Sequence, residues 1–244
     1  MSRSSSPSPP PPAEAPAPVA LIPAAGRATR LGGPGGPEGS KEILPVGPSR
    51  RPVARFLLDG LARAGVDRAY VMIRPAKWDV PRRLGDGGDS GVRIAYVTVP
   101  ETRSICETLD RAHPFVRDRP VVLGFPDILF RPPDAFARIA ERWREGGVDA
   151  VLALVPTDRP HKADVVRTDP SRRVVGIEIK PPIRPGGGTD PAAPYLTWIG
   201  AVWGPAVTGI LHEMVAAERQ RPAGGPELYP SHVLLEGLRR GLRV

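Results

Sequence analysis

The sequence predicts an α/β fold: a Rossmann-like, mostly parallel sheet flanked by helices, with a smaller antiparallel subregion in the C-terminal third. Three observations carry this expectation. Short apolar runs alternate with stretches of helical periodicity up to about residue 156, the pattern that builds parallel βαβ units. Two of the apolar runs lead into ligand-suited turns, one of small residues and one holding an acid, where open α/β sheets collect their ligands. After Thr157 the alternation stops, and residues 163–167 and 173–177 read as adjacent, paired strands.

The chain of 244 residues, 41% apolar, suits one large domain or two small ones with a real core. Residues 1–18 are rich in Ser and Pro, have almost nothing to bury, and read as a disordered or extended tail. Residues 19–244 then form a single domain, divided near 156 into an alternating part and a part of different character. No apolar run approaches the roughly eighteen residues needed to span a membrane, and the N-terminus lacks the apolar segment of a secretory signal. Cys106 is the only cysteine, which excludes an internal disulfide and suits a cytoplasmic location. A net charge of +8 invites a nucleic-acid reading, but the basic residues are spread among acidic ones and no aromatic residues interleave with a basic cluster, so neither a nucleic-acid nor a membrane partner is expected. The basic residues are overwhelmingly Arg, and lysine occurs only at Lys41, Lys77, Lys162 and Lys180.

In chain order, residues 19–22 read as a buried strand. It breaks at Pro23-Ala24-Ala25-Gly26, where small residues leave backbone N–H groups free to form a concavity for phosphate oxygens. Arg27, Thr29 and Arg30 follow, then a Gly/Pro-rich loop, then Lys41. Arg30 offers a planar fork of donors and Lys41 a compact point charge, so the stretch reads as a polyphosphate site clamped at both ends. Taken locally, it reads equally as an ordinary βα connection with a surface loop.

A helix is expected over 51–64, with Val53, Phe56, Leu57, Leu61 and Ala64 on one face and Gly65 as its stop. Strands are expected at 68–73 and 92–99, around a polar, Gly-rich stretch with room for one short helix. Residues 101–109 lead into a helix ending near Val116, and Ser104 or Thr102 is a natural N-cap. Residues 121–123 form a buried strand with Asp127 just past its end, well placed to hold Mg²⁺; a turn-forming Pro-Asp pair is the competing reading. A helix over 134–144 and a strand over 150–155 give another βα repeat. The apolar run 195–203 is a strand, helices span about 206–219 and 231–240, and Leu242-Arg243-Val244 begin a further strand. The histidines, His113, His161, His212 and His232, lie in no metal or triad pattern.

The segment Leu21-Ile22-Pro23-Ala24-Ala25-Gly26-Arg27-Ala28-Thr29-Arg30-Leu31, followed by Ser40-Lys41-Glu42-Ile43-Leu44-Pro45-Val46, resembles the two-part signature of the sugar-phosphate nucleotidyltransferases. Ala28 replaces that family's second Gly. Asp127-Ile128-Leu129-Phe130 resembles its D-x-x-F segment, and Glu178-Ile179-Lys180-Pro181 its E-E-K-P motif, with Ile179 replacing the Glu before the Lys. The resemblance implies an enzyme that transfers a nucleotidyl group from a nucleoside triphosphate to a sugar-1-phosphate, with Mg²⁺ as cofactor, and it leaves room for a homo-oligomer. It implies Arg30 and Lys41 as catalytic, and Ala24, Ala25, Gly26, Arg27, Thr29 and Glu107 as nucleotide-binding. It implies Lys180 and Glu178 as sugar-phosphate-binding, and Asp127 as the metal ligand. Residues 19–156 then form the nucleotide-binding part and 157–244 the sugar-phosphate-binding part. The family continues into a D-x-G-T segment whose Asp is a second metal ligand, and the chain stops before it. Three readings stay open at this point: a truncated chain, an enzyme with one carboxylate, or a non-catalytic nucleotide or sugar-nucleotide binding module.

Overall fold

The computed structural model describes residues 16–26, 39–182, 194–222 and 224–244. Most of the expected tail, Arg27, Thr29 and Arg30, and most of the two Gly/Pro-rich loops lie outside the described residues.

Strand β1 (Val19–Pro23) is apolar on both faces and ends at its proline. A single helical turn at Lys41–Ile43 leads into a two-residue hairpin of β2 (Pro45–Val46) and β3 (Arg51–Pro52). Helix α1 (Val53–Arg63) buries Val53, Ala54, Leu57, Leu58 and Leu61. Phe56, expected on that face, is instead half-buried beneath the Arg51 guanidinium, 5.5 Å from its ring centre. Strand β4 (Arg68–Ile73) follows, then α2 (Asp79–Leu84), which buries Val80 and Leu84, then β5 (Arg93–Thr98).

The helix expected to run into Val116 is two pieces, α3 (Ile105–Asp110) and α4 (His113–Val116). Pro114 explains the break: without an N–H it is tolerated only in a first turn, so the helix restarts at His113. Strand β6 (Val121–Gly124) is fully buried and is followed by α5 (Ala135–Arg144) and β7 (Ala150–Thr157). Strands β8 (Asp164–Thr168) and β9 (Val174–Ile179) pair antiparallel, as their adjacency predicts. Strand β10 (Tyr195–Trp203) and helices α6 (Pro205–Gln220) and α7 (Pro230–Arg239) complete the elements.

The sheet order is β5-β4-β1-β6-β10-β8-β9, with β7 on the other side of β10. Strands β5, β4, β1 and β6 are parallel. The fold class is therefore as the sequence predicts, with one internal difference. Strand β7 does not extend the parallel set as another βα repeat. Instead β10 inserts beside β6 and runs antiparallel to both β6 and β7. Its nearly unbroken apolar run, YLTWIGAVW, suits a strand covered on both faces, and its last four residues are buried.

Helices cover both faces, and β1 shows why. Val19 and Leu21 pack on one side with residues of α3, α6 and α7, whereas Ala20 and Ile22 pack on the other with α1, α2 and α5. Close approach of α1 to β6 requires Gly124, because a Cβ there would lie 2.5 Å from Leu57 Cδ1. The last residues align as expected without forming a regular strand: Asp149 and Ala150 donate to Arg243 O, and Val174 to Val244 O. No helix among the described residues is long and apolar enough to cross a membrane.

Cys106 is fully buried in the core formed around α3 and α6. Burial pushes its thiol far up, and the nearby carboxylates of Glu218, Glu227 and Asp110 push the same way. The expected result is no labelling by a thiol reagent in native buffer at pH 8, and full labelling in denaturant, read by thiol titration.

Candidate active site

The parallel strands place their carboxyl ends together, and a cleft of about 280 Å³ opens there. Ala25 and Gly26 line it just beyond β1, and a Cβ at Gly26 would meet none of the described residues within 4 Å. Lys41 enters from the helical turn before β2, and Asp127 from the turn after β6. Lys41 Nζ lies 2.5 Å from Asp127 Oδ2, with both side chains partly exposed. Four residues that the sequence reading assigned to the site, Ala25, Gly26, Lys41 and Asp127, thus meet in one place.

Lys41 is aimed by its neighbours on both sides. The Ser40 N–H and hydroxyl donate to Asp79 at 2.7 and 2.9 Å. Glu42 is completely buried, and both its oxygens accept from Lys77 Nζ at 2.7 Å. Lys77 Nζ also donates to Ala24 O at 2.8 Å. One buried ammonium therefore ties the end of β1 to the Lys41 turn. Ala24 is fixed further by its N–H, which donates to Met72 O at 2.9 Å. Buried charges persist only when paired and hydrogen-bonded, and this pair meets that condition.

The opposite wall is the segment 101–104 before α3, with Glu227 beside it. Ser104 is the N-cap of α3, accepting from the Glu107 N–H at 3.1 Å, and its hydroxyl donates to Glu218 Oε2 at 2.6 Å. Glu218 is buried on α6 and also accepts from the Leu228 N–H. Arg103 Nη1 donates to the carbonyls of Glu218 and Arg221. The wall is thereby fastened to α6 and the connection to α7.

Glu107 sits behind this wall rather than in the cleft lining. Its carboxylate accepts from the Arg103 N–H at 2.7 Å and from the Arg219 and Arg111 guanidiniums at 3.2 and 3.3 Å. Burial disfavours its charge, but these donors outweigh burial and hold the carboxyl below the usual range. Lys180 is also outside the cleft lining. It holds a left-handed backbone conformation, φ 44°, and its Nζ stands 3.7 Å from the Tyr229 ring centre. Glu178 pairs with Arg167 at 3.5 Å and faces a separate groove over β8 and the start of β10.

Arg74, Arg103 and Glu227 line the cleft although the sequence reading assigned them no role. Arg74 follows β4 directly, so the rule that drew attention to Asp127 after β6 also points to it. Lys77 carried only the signal of lysine scarcity, and its buried partner Glu42 stood inside the Ser40–Val46 motif with no role of its own.

Beside the wall, the His113 and His212 rings stack with centres 3.9 Å apart, and His212 Nδ1 lies 2.7 Å from Asp110 Oδ1. Burial lowers the His113 pKa, helped by His212 and Arg117 and opposed by Asp110 and Asp118. A depressed folded-state value means that its contribution to stability is complete above the ordinary imidazole value of about 6.5 and is lost as pH falls through the lowered one. Thermal melts are expected to drop between pH 7 and 5.5, with a smaller drop in His113→Asn.

Asp127 offers hard oxygen donors, and it already accepts a cation, the Lys41 ammonium, at one of them. Among the described residues no group of three or more His, Cys, Asp and Glu could hold a metal unaided. That donor set fits Mg²⁺, which keeps several waters and binds through one or two carboxylates together with substrate phosphates.

Residues 20–188 match the model of a protein family described as the MobA-like NTP transferase domain. The chain is 27% identical over 163 residues to a glucose-1-phosphate thymidylyltransferase of Streptomyces antibioticus, covering 66% of this chain and 44% of that protein. It is 49% identical over 162 residues to a 2-C-methyl-D-erythritol 4-phosphate cytidylyltransferase of Nocardia farcinica, covering 63% and 64%. The chain thus spans less than two thirds of the length of these relatives. A crystal structure from Bacillus anthracis, described as a candidate glucose-1-phosphate thymidylyltransferase, is similar with a TM-score of 0.71 at 20% identity, over 91% of this chain and 83% of that one. The matched segment contains β1 from its second residue, the Lys41 turn and Asp127, and so most of the cleft lining: this chain belongs to the family of MobA-like NTP transferase domains.

Proposed function

We propose that this chain transfers a nucleotidyl group from a nucleoside triphosphate to a sugar-1-phosphate, releasing pyrophosphate and forming an NDP-sugar, with Mg²⁺ as cofactor. The observation that carries this reading is the convergence of Lys41 and Asp127 beside the Ala25-Gly26 turn, at the carboxyl ends of the parallel strands. A phosphate oxygen of the sugar-1-phosphate attacks the α-phosphorus in line, and the bond to the pyrophosphate oxygen breaks. The nucleophile is already an anion, because a phosphate monoester's second pKa is about 6. No general base is required, and no histidine lines the cleft. The work left to the protein is alignment of two polyanions and neutralisation of developing charge.

In this reading the backbone at Ala24, Ala25 and Gly26 cradles phosphate oxygens, with Arg27 and Thr29 extending the cradle and Arg30 stabilising the transferred and leaving phosphates. Lys41 bridges phosphates. Lys180, from outside the cleft lining, supplies a cation for the sugar phosphate, and Glu178, an anion on a separate groove, suits sugar hydroxyls rather than phosphate. Asp127 would hold Mg²⁺. The ion, when bound, supplies positive charge against the phosphate oxygens.

The 49% identity to a protein named 2-C-methyl-D-erythritol 4-phosphate cytidylyltransferase favours a second reading, cytidylyl transfer to a polyol phosphate. One experiment separates the two. Pyrophosphate release is measured for each nucleoside triphosphate crossed with hexose-1-phosphates and with 2-C-methyl-D-erythritol 4-phosphate. Release that requires a hexose-1-phosphate supports the first reading. Release only with the cytidine nucleotide and the erythritol phosphate replaces it with the second.

A further inference from the structure

The geometry points to Arg74 as a binding residue for the pyrophosphate part of the incoming triphosphate; this rests on the proposed nucleotidyl transfer. Arg74 follows the last residue of β4, one strand over from the turn that ends β1. The two ends are bonded directly, Ala24 N to Met72 O at 2.9 Å, so the Arg74 backbone is held beside the Ala24-Ala25-Gly26 turn. Its side chain lines the cleft together with Gly26, Lys41 and Asp127.

The chemistry of its guanidinium separates it from the other cations there. Its Nε is buried and has no hydrogen-bond partner among the described residues. Among the described residues, the guanidinium makes no ion pair. Lys41 is neutralised by Asp127, and Arg103 Nη1 is committed to two carbonyls. Among the described residues, Arg74 is therefore the cleft cation whose guanidinium makes no hydrogen bond and no ion pair. The Nε is too buried for a ligand oxygen to reach, so the donors open to a ligand are those the side chain presents where it lines the cleft. A guanidinium donates through a planar fork that matches two oxygens of one phosphate. The terminal phosphates of a triphosphate, and free pyrophosphate, present such oxygens. A nucleoside monophosphate whose phosphate lies at the transfer position lacks them. Glu101, three residues past β5, and Glu227, between α6 and α7, also line the cleft.

The test is isothermal calorimetry of inorganic pyrophosphate and of nucleoside monophosphates, with Mg²⁺, against the whole chain and its Arg74→Gln and Arg74→Lys variants, after circular dichroism melts establish that each is folded. The expected result is a tenfold or greater loss of pyrophosphate affinity in Arg74→Gln, a smaller loss in Arg74→Lys, and nucleoside monophosphate affinity unchanged within twofold. Equal pyrophosphate affinity in all three proteins overturns the assignment, as does an equal loss for the monophosphates. So does an unaltered chain that binds no pyrophosphate. Turnover is scored separately: Arg74-dependent pyrophosphate binding without transfer to any sugar-1-phosphate removes the acceptor reading and leaves the Arg74 assignment standing. Transfer that proceeds with Arg74→Gln unimpaired in pyrophosphate affinity does the reverse.

Discussion

Asp127→Asn is expected to lower kcat/KM for nucleotidyl transfer by on the order of a hundredfold or more. The amide keeps the shape and one acceptor oxygen of the carboxylate but removes the charge that a divalent ion requires. It also releases Lys41, now bonded to that carboxylate at 2.5 Å. Fold stability should change little, since both side chains are partly exposed and pairs of this kind contribute roughly 0–1 kcal/mol. A steady-state assay at several Mg²⁺ concentrations, run beside a thermal melt, checks both halves. The metal assignment is wrong if the variant keeps full rate and the same Mg²⁺ dependence.

Glu42→Ala is expected to have the largest effect on stability. It strands the Lys77 ammonium, whose side chain is 7% exposed, with a single backbone carbonyl as partner. Removing one member of a buried ion pair costs about 3–5 kcal/mol, a drop on the order of 10 °C in the thermal midpoint for a chain of this size. Replacing both members with apolar residues, Glu42→Leu with Lys77→Met, should recover most of that loss, because no buried charge remains. The double variant should still transfer poorly, since the link between Ala24 and the Lys41 turn is gone. Melts of Glu42→Leu, Lys77→Met and the double variant, set against the unaltered chain, form a cycle that tests this. A midpoint for Glu42→Ala within a degree or two of the unaltered chain would refute it.

Much of the fold was legible before any coordinates. β1, β4, β6 and β10 are apolar runs bounded by Gly, Pro or charged residues, and each formed near its expected bounds. The β8–β9 pair announced itself by adjacency and followed the antiparallel expectation. What failed was the placement of β7. Periodicity reports which residues of a strand are covered, not which strand covers its edge, so the insertion of β10 between β6 and β7 left no trace in the local pattern. The division of the α3–α4 stretch was written in Pro114 and follows from its missing N–H.

The candidate site divides similarly. The small-residue turn after β1, Lys41 and Asp127 could be named because residue type and position at a strand end constrain chemistry locally. The structure adds that Lys41 and Asp127, 86 residues apart, touch. It also assigns Glu107 to Arg103, Arg111 and Arg219, and Lys180 to the Tyr229 ring. These partners come from distant segments, and a one-dimensional pattern holds no information about them. The class of fold, the strand ends where ligands gather and the family resemblance follow from local pattern and motif. Which cations are already paired and which, like Arg74, line the cleft unpaired among the described residues follows from packing. The difference is one of range: propensity and periodicity act over a few residues, whereas desolvation and charge pairing are set by whichever side chains the packed chain brings within a few ångströms.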